Sequence, residues 1–265
     1  MRIQSATEPG SPGRPNEDFA ATATPTEVGD GALVVLDGVT APTGDFGCTH
    51  GVAWFSARLG GTLLRALTSA PARPLTDALA HAIERTADAH RGSCDLSHRR
   101  TPQATVVCCR WNAGEVEYLV LSDSALLVEE STGVVRPVLD DRLDQLRPLA
   151  WRQPAERRAA FVEAHRNAPD GFFTAAADPA VAARAVTGRL PRERVSSLAA
   201  VTDGVGRWTE VFGLGDWSAL HRSLVERGPA GLIAEVRAAE SADPAGAAFP
   251  RGKTHDDATA VLAVL

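Results

Sequence analysis

The sequence lacks several features that would place the protein in a special class. No apolar run approaches the roughly 20 residues that a membrane-spanning helix needs, and the N-terminal stretch MRIQSATEPG has no apolar signal core. Lys253 is the only lysine, and the formal net charge is -6. Because there is no basic run, binding to nucleic acid or to an anionic membrane is not expected. We therefore expect a cytoplasmic protein with neither kind of partner.

Cysteine is also scarce. The four cysteines, Cys48, Cys94, Cys108 and Cys109, have no CxxC spacing and no histidine at a familiar zinc-ligand spacing. Cys108 and Cys109, as neighbours in a strand, would point to opposite faces. We expect reduced, mostly buried thiols in preference to a redox or metal role.

What is present is an ordinary globular composition and a clear order of elements. With 265 residues, 44% of them hydrophobic, the chain can bury a full core. We predict one domain over 1–265, with a variable insertion around 140–192, which is rich in Arg, Ala and Pro. Hydrophobic periodicity predicts the following elements: strands at 19–24, 31–36, 195–204 and 258–265, an antiparallel meander at 103–138, and helices at 52–67, 75–90, 154–166, 178–186, 216–227 and 230–241.

Acidic residues recur at the tips of the predicted apolar strands. Asp37 follows VVL, Asp123 follows LVLS and Asp203 follows AAVT, while Asp256 and Asp257 precede the last strand. A single Asp after a strand is usually a turn residue. Together, however, two such carboxylates at about 4 Å would repel by roughly 4 kcal/mol at an effective dielectric of about 20.

No neighbouring Lys or His is expected to compensate these acids, so either the tips lie apart or a cation lies among them. A carboxylate-rich cage without Cys or His favours Mg²⁺ or Mn²⁺ over zinc. Glycine after two of the acids, Gly38 and Gly204, would let the backbone approach closely and leave a carbonyl oxygen free as a further ligand.

A further acidic element lies near the N-terminus, in GRPNEDF. Here Arg14 stands a few residues before Glu17 and Asp18. Taken alone, this is a surface ion pair. Beside a metal cage, the same arginine could bind two phosphate oxygens at once.

The order RPNEDF, VVLDGV, VLSDSALL, AAVTDGV, DDATAV resembles the metal-dependent type 2C (PPM) serine/threonine protein phosphatases over nearly the whole chain. The resemblance implies an α+β fold, a four-layer α-β-β-α sandwich of two antiparallel sheets flanked by helices. The residue roles that it implies are a bridging carboxylate at Asp37, a carbonyl ligand at Gly38, further metal ligands at Asp203 and Asp256, a third-metal ligand at Asp123, a water-holding acid at Asp18 and a phosphate-binding residue at Arg14.

The same resemblance implies the chemistry. Two or three Mg²⁺ or Mn²⁺ ions would activate a water that attacks the phosphorus of phosphoserine or phosphothreonine in a protein substrate, with a kinase as a further partner. Val39 stands where the family often has His, so no general acid is assigned, and His50 is only a weak candidate for it. The oligomeric state is not indicated.

Two alternatives stay open, and a third is disfavoured. The protein could be a phosphatase of small-molecule phosphates, or a catalytically silent member that binds and regulates a phosphoprotein. A nucleotide hydrolase is disfavoured, because Gly252-Lys253-Thr254 resembles the end of a P-loop but lacks its first glycine in register and the following helix. The presence of Asp37, Asp203 and Asp256 argues against the catalytically silent alternative, because a binding module would not need all three of these acids.

Overall fold

Two five-stranded antiparallel sheets form the centre of the protein. The computed structural model describes residues 1–24, 29–41, 44 and 46–265. The strands in this part of the chain are β1 Arg2–Glu8, β2 Phe19–Ala23, β3 Gly31–Leu36, β4 Val106–Trp111, β5 Glu115–Leu121, β6 Ala125–Glu130, β7 Val135–Val138, β8 Val186–Pro191, β9 Val195–Val201 and β10 Ala258–Val264. The α-helices are α1 Val52–Ser69, α2 Leu75–His90, α3 Arg142–Trp151, α4 Ala155–His165, α5 Asp203–Glu210 and α6 Trp217–Ala242, the last interrupted at Gly228.

The strands divide between two sheets that we call the front and the back sheet. The front sheet has the order β2-β3-β4-β5-β8, and the back sheet has the order β1-β10-β9-β6-β7. Helices α1 and α2 cover the outer side of the front sheet, and α5 and α6 cover the outer side of the back sheet. The predicted four-layer α+β sandwich is therefore confirmed.

Burial of both faces of β3 shows how the layers are held together. All six residues of β3 are buried. Because successive side chains of a strand point to opposite faces, Val34 and Leu36 pack under α1 and α2, whereas Leu33 and Val35 pack against the back sheet. Each such side chain contributes roughly 1.5–3 kcal/mol by leaving water.

Several element predictions hold and others are wrong. The strand at 31–36 and the helix at 75–90 have the predicted bounds. The predicted meander is wrong, because β5 lies in the front sheet and β6 in the back sheet, so the chain changes sheet between them. The predicted helix at 178–186 is a 3₁₀-helix, Pro179–Arg184, followed by the edge strand β8. The two helices predicted within 216–241 are the two parts of α6.

In the described part of the chain, no helix combines the length and the apolar character that crossing a membrane requires.

Candidate metal and phosphate site

The antiparallel pairing brings the acidic strand ends to one edge of the sandwich. In the front sheet, Val106 at the start of β4 pairs with Leu121 at the end of β5, and β4 also pairs with β3. In the back sheet, Val201 at the end of β9 pairs with Ala125 and Ala260, each near the start of its own strand. The residues that follow or precede these ends therefore face one another across the two sheets.

Asp37 lies directly after β3 at this edge. Its backbone N–H donates to Thr105 Oγ1 at 3.2 Å, and its carbonyl accepts from the Thr105 N–H at 2.9 Å. Burial is the main reason that the pKa of Asp37 lies well above its usual range, and the negative charges of Asp203, Asp18 and Asp123 raise it further. These four carboxyl groups therefore share one electrostatic environment.

Asp203 is the first residue of α5, immediately after β9. Its carboxyl group lies within hydrogen-bonding reach of that of Asp37. Burial raises the pKa of Asp203 to about 6, with further contributions from the charges of Asp256 and Asp123. The structure thus brings together the two acids that the sequence places at the ends of β3 and β9.

Asp18 lies just before β2 and reaches the same centre. Its Oδ2 accepts a hydrogen bond from Thr202 Oγ1 at 2.9 Å, whereas its Oδ1 is buried without a hydrogen-bond partner. Burial, together with the charges of Asp203 and Asp257, raises the pKa of Asp18 to about 8, although hydrogen bonds from Thr259 and Thr202 oppose the shift. A buried carboxylate oxygen without a donor is unfavourable unless a cation or water meets it.

Asp123 lies in the link where the chain passes from the front to the back sheet. Ser122, the residue before it, has a positive φ of 69°, and its N–H donates to the buried Asp140 Oδ2 at 2.8 Å. Ser124, the residue after it, forms a hydroxyl hydrogen bond of 2.6 Å with Thr105. Asp123 is therefore held between two anchored serines, next to the residue that positions Asp37.

Asp256 differs from the other acids because two cations accompany it. Its Oδ2 accepts from Arg207 Nη2 at 2.7 Å, and its Oδ1 accepts from Lys253 Nζ at 2.7 Å. The expectation that no Lys or His near these acids compensates them is thus wrong for Asp256. Lys253 also donates to Thr40 Oγ1, so the GKT stretch contributes a cation to this site.

The glycines and Asp257 fix the backbone around the acids. A Cβ on Gly38 would lie 2.5 Å from the Glu17 carbonyl oxygen, and one on Gly204 would lie 2.0 Å from the Asp257 carbonyl oxygen. Asp257 accepts hydrogen bonds from the backbone N–H groups of Gly10 and Glu17, each at 2.7 Å. Asp257 therefore anchors the segment that carries Asp18, while its neighbour Asp256 faces the predicted metal site.

Arg14 lies at the rim of the site. It is exposed, and with Lys253 and Asp256 it lines a small pocket of about 90 Å³. The pocket also contains Glu17, whose carboxyl accepts a hydrogen bond from Thr40 and whose pKa is raised by burial. The structure thus places Arg14 and Asp256 on one pocket, whose lining does not include Asp37 or Asp203.

The donor set fits divalent cations. Asp37, Asp203 and Asp18 offer carboxylate oxygens, and their pKa values are raised because the burial is not offset by enough positive charge. Divalent ions would supply that charge, and oxygen ligands of this kind suit Mg²⁺ and Mn²⁺. The unpartnered Asp18 Oδ1 points to the same conclusion.

A large groove opens beside these acids. It has a volume of about 930 Å³, and its floor includes Asp203, Thr40 and Lys253. Helices α3 and α4 form its far wall, where Trp151 is 59% exposed and Arg158 stacks on its ring at 4.3 Å. Further arginines line the groove, namely Arg100, Arg147, Arg166, Arg207 and Arg251, and three acids lie among them, Glu156, Glu163 and Glu210. This surface therefore offers several guanidinium groups and an aromatic ring next to the carboxylate site.

The comparisons with known proteins identify the family. The model of the family Protein phosphatase 2C matches residues 10–230, so the chain belongs to this family. The resemblance seen in the motifs, and the phosphatase class that it implies, are thereby confirmed. None of the curated proteins searched matches the chain.

Solved structures match over almost the full length. Serine/threonine phosphatase Stp1 from Staphylococcus aureus is 14% identical with a TM-score of 0.62, covering 100% of this chain and 95% of that chain. The catalytic domain of serine threonine protein phosphatase PstP, solved with two manganese ions, is 14% identical with a TM-score of 0.58, covering 99% and 97%. PppA, a regulatory component of T6SS in Pseudomonas aeruginosa, is 20% identical with a TM-score of 0.57, covering 98% and 96%. At these identities the matches show a common fold.

Sequence reasoning missed the residues that hold the acids in place. Thr105 and Thr202 contact Asp37 and Asp18 through hydroxyl groups, and threonine in a strand or at a helix start carries no special signal. Arg207 could have been found, because it follows Asp203 by four residues and therefore projects from the same face of α5.

Proposed function

We propose that this protein is a metal-dependent phosphatase that removes phosphate from phosphoserine or phosphothreonine in a protein. The observation that carries the proposal is the convergence of Asp37, Asp203, Asp18 and Asp123 at one edge of the sandwich, in a chain of the protein phosphatase 2C family. A kinase that phosphorylates the substrate would be its counterpart.

The proposed metal ligands are Asp37, Gly38 through its carbonyl, Asp203 and Asp256, with Asp123 for a third ion. When bound, Mg²⁺ or Mn²⁺ would neutralise the phosphoryl group and lower the pKa of a water. The manganese ions in PstP support this type of cofactor. Asp18, whose Oδ1 is buried without a hydrogen-bond partner, would orient the attacking water, and Thr202 fixes the position of that carboxyl.

The groove supports a protein substrate over a small one. A phosphorylated side chain near Asp203 would leave the flanking peptide along α3 and α4, where Arg158 and Trp151 are available. Arg14, which lines the small pocket that also contains Asp256 and Lys253, is proposed to bind phosphate oxygens as they enter or leave. Guanidinium groups suit this task because they bind phosphate through two parallel hydrogen bonds.

A specific observation favours a second candidate, a silent relative that binds a phosphoprotein without hydrolysing it. Both carboxylate oxygens of Asp256 accept hydrogen bonds from cations, one from Arg207 and one from Lys253. If these pairs persist when metal is present, Asp256 contributes less to metal binding. In the active candidate, either one of these pairs opens or a metal ion shares a carboxylate oxygen with a cation, because each oxygen has a second lone pair.

One experiment separates the two candidates. Purified protein with Mn²⁺ or Mg²⁺ is assayed on p-nitrophenyl phosphate and on phosphopeptides, beside a panel of sugar and nucleotide phosphates. We expect metal-dependent turnover, reduced more than about 100-fold by Asp37→Asn or Asp203→Asn because a direct ligand is lost. Asp88→Asn, a change at an exposed acid of α2, is the matched control and should leave turnover unchanged. Absence of turnover in the folded wild type would favour the silent candidate.

A further inference from the structure

A second group of potential metal ligands lies outside the carboxylate site. In this group, which lies among the residues that the structure describes, two Cys and two His side chains have ligand atoms that are all within 4.8 Å of one another. Its members are Cys48 and His50, in the segment before α1, and His90 and Cys94, at and just after the end of α2. The carboxylate site is spread more widely over its edge of the sandwich.

The distances within this Cys/His cluster are close to those of a tetrahedral zinc site, with the sulfur–sulfur distance the one that is short. Zinc binds sulfur at about 2.3 Å and imidazole nitrogen at about 2.0–2.1 Å, so a tetrahedron has edges of about 3.3–3.8 Å between ligand atoms. Here Cys48 Sγ lies 3.2 Å from Cys94 Sγ and 3.5 Å from His90 Nδ1. His50 Nδ1 lies 3.3 Å from Cys94 Sγ and 3.7 Å from Cys48 Sγ.

The surroundings hold the four side chains in this arrangement. Cys48 and His90 are buried, whereas Cys94 is half-buried and His50 is exposed, so one side of the cluster is open for an ion to enter. The rings of His50 and His90 both lie against Trp54, at centroid distances of 4.3 Å and 5.2 Å. Such packing limits the rotation of both imidazoles before any ion binds.

The two segments that carry the ligands are already in close contact. The Asp95 N–H donates to the Gly47 carbonyl oxygen at 2.7 Å. A Cβ on Gly47, which has a φ of +74°, would lie 2.6 Å from His98 Cβ, so the close approach requires glycine. Helix α1, which follows this segment, starts at Gly51 without a side-chain cap. A metal ion here would hold the start of α1 to the end of α2.

We propose that Cys48, His50, His90 and Cys94 bind one Zn²⁺ ion as a structural site. Two thiolates and two neutral imidazoles would balance the charge of the ion, and binding would release to solvent any proton that the two sulfurs still carry. Nitrogen and sulfur ligands select zinc over Mg²⁺ or Mn²⁺, so the site is chemically separate from the carboxylates at Asp37. The expectation that the cysteines have no metal role is revised for Cys48 and Cys94, whereas Cys108 and Cys109 are free, fully buried thiols as predicted.

The sequence does contain a signal for this cluster. Cys48 and His50 are separated by one residue, and His90 and Cys94 by three, which are the i, i+2 and i, i+4 spacings of a turn and of a helix end. A search for CxxC alone overlooks both pairs. That the pairs meet depends on the packing of α1 against α2.

Cobalt substitution tests the proposal. The full chain, reduced and freed of metal by chelation and dialysis, is titrated with Co²⁺, followed by Zn²⁺. We expect one Co²⁺ per chain, with the visible absorption of tetrahedral cobalt and a thiolate-to-cobalt charge-transfer band, and displacement of both by one equivalent of Zn²⁺. Carboxylate binding alone produces no thiolate band, so the readout is independent of phosphatase activity.

Four variants assign the site. Cys94→Ser and His50→Ala, both on the open side of the cluster, should fold and should lose the tetrahedral spectrum, with at least a tenfold loss of Zn²⁺ affinity. His81→Ala, on α2 outside the cluster, and Asp37→Asn, in the carboxylate site, should retain the spectrum. Circular dichroism checks that each variant is folded.

Three results would overturn the proposal. The first is a folded, reduced wild type that shows no charge-transfer band. The second is a band that persists at full intensity in folded Cys94→Ser. The third is a Cys48–Cys94 disulfide in the purified protein, detected by mass spectrometry of alkylated peptides, whose reduction yields no cobalt site; the cluster would then be a redox pair.

Discussion

At the scale of single residues, the acids of the carboxylate site differ in how their charge is balanced. Asp37, Asp203 and Asp18 rely on hydroxyl and carboxyl hydrogen bonds, whereas Asp256 has Arg207 and Lys253. The positions of these acids could be predicted, because each stands next to an apolar run. Their charge partners could not, because they depend on the rotation of α5 and on the path of the segment before β10.

Arg207 is a residue on which both stability and the site depend. Its guanidinium is buried, and besides Asp256 it donates to Glu240 Oε1 at 2.6 Å, where Glu240 is fully buried. Arg207→Ala should lower the free energy of unfolding by about 1–3 kcal/mol, because the buried Glu240 carboxylate loses one charged partner and keeps Arg237 and His255. Urea denaturation measures this loss.

The matched control for Arg207 is Arg85→Ala. Arg85 forms an ion pair with Asp88 in which both side chains are exposed, so its removal should change the free energy of unfolding by less than about 1 kcal/mol. Combining Arg207→Ala with Glu240→Gln should cost less than the sum of the single changes. Strict additivity would contradict the inferred pairing.

His221 gives the stability a dependence on pH. It is buried in α6, and its Nε2 lies 2.9 Å from Ser197 Oγ. Burial lowers the pKa of His221 below its ordinary 6.5, against the opposing charge of Glu129. As the pH falls below about 6.5, the unfolded chain takes up this proton before the folded one does, so stability is lost.

We expect His221→Gln to reduce this dependence. Between pH 7.5 and pH 5, the wild type should lose stability relative to the variant, by at most about 1.4 kcal/mol per pH unit for one proton. Urea denaturation of both proteins across this range gives the difference. A difference that does not vary with pH would show that His221 keeps its ordinary pKa in the folded state.

At the scale of elements, strongly patterned segments were predictable and weakly patterned ones were not. The strand β3 is a pure apolar run, and α2 repeats its apolar residues at helical spacing. Helix α5 was missed because it has eight residues, two of them glycines of low helix propensity. Strand β8 was missed because it is a mostly exposed edge strand that contains Gly188 and ends in Pro191.

Helix α1 contains a pair of adjacent glycines that test the packing of this layer. A Cβ on Gly60 would lie 2.2 Å from Phe19 Cδ1, whereas a Cβ on Gly61 would meet nothing within 4 Å. Phe19 follows Asp18 directly. The interior of a helix favours Ala over Gly by about 1 kcal/mol, so the two positions should respond in opposite directions.

Gly61→Ala should stabilise the protein by about 0.5–1 kcal/mol, and Gly60→Ala should destabilise it by about 1–3 kcal/mol because the core would be overpacked. Gly60→Ala should also reduce phosphatase turnover, since movement of Phe19 displaces Asp18. Thermal denaturation and the p-nitrophenyl phosphate assay measure the two effects. Equal effects of the two substitutions would contradict the described packing.

At the scale of the whole molecule, the four layers could be predicted from the order of the motifs, which resembles that of a known family. The local hydrophobic pattern did not predict which strands belong to which sheet. Strands β5 and β6 are separated by three residues, a spacing that usually predicts a hairpin. They separate here because Ser122 adopts a positive φ and its backbone N–H binds Asp140, sending the chain across the sandwich. Nothing in the periodicity of the segment shows this change.

The groove beside the carboxylate site yields a prediction about substrate size. Arg158→Glu combined with Arg100→Glu reverses charge on the groove wall and should raise KM for an acidic phosphopeptide at least tenfold, while kcat/KM for p-nitrophenyl phosphate stays within about twofold. Arg222→Glu, on exposed α6 away from the groove, is the control. If activity falls equally on both substrates, the two arginines are needed for the folding of the site and do not act in peptide binding.

The distribution of strands between the sheets has a consequence for how the chain reaches this structure. The front sheet takes β2 to β5 and then β8, and the back sheet takes β1, β6, β7, β9 and β10, with Arg2 paired to Val264. Because loop-closure entropy is lost before such distant pairings form, folding rates fall as contacting residues lie farther apart in the chain. Refolding after dilution from urea should therefore be slow. A nascent chain that stops before β9 would contain every strand of the front sheet but would lack β9 and β10 of the back sheet, leaving open edges on β1 and β6 that invite association with other chains.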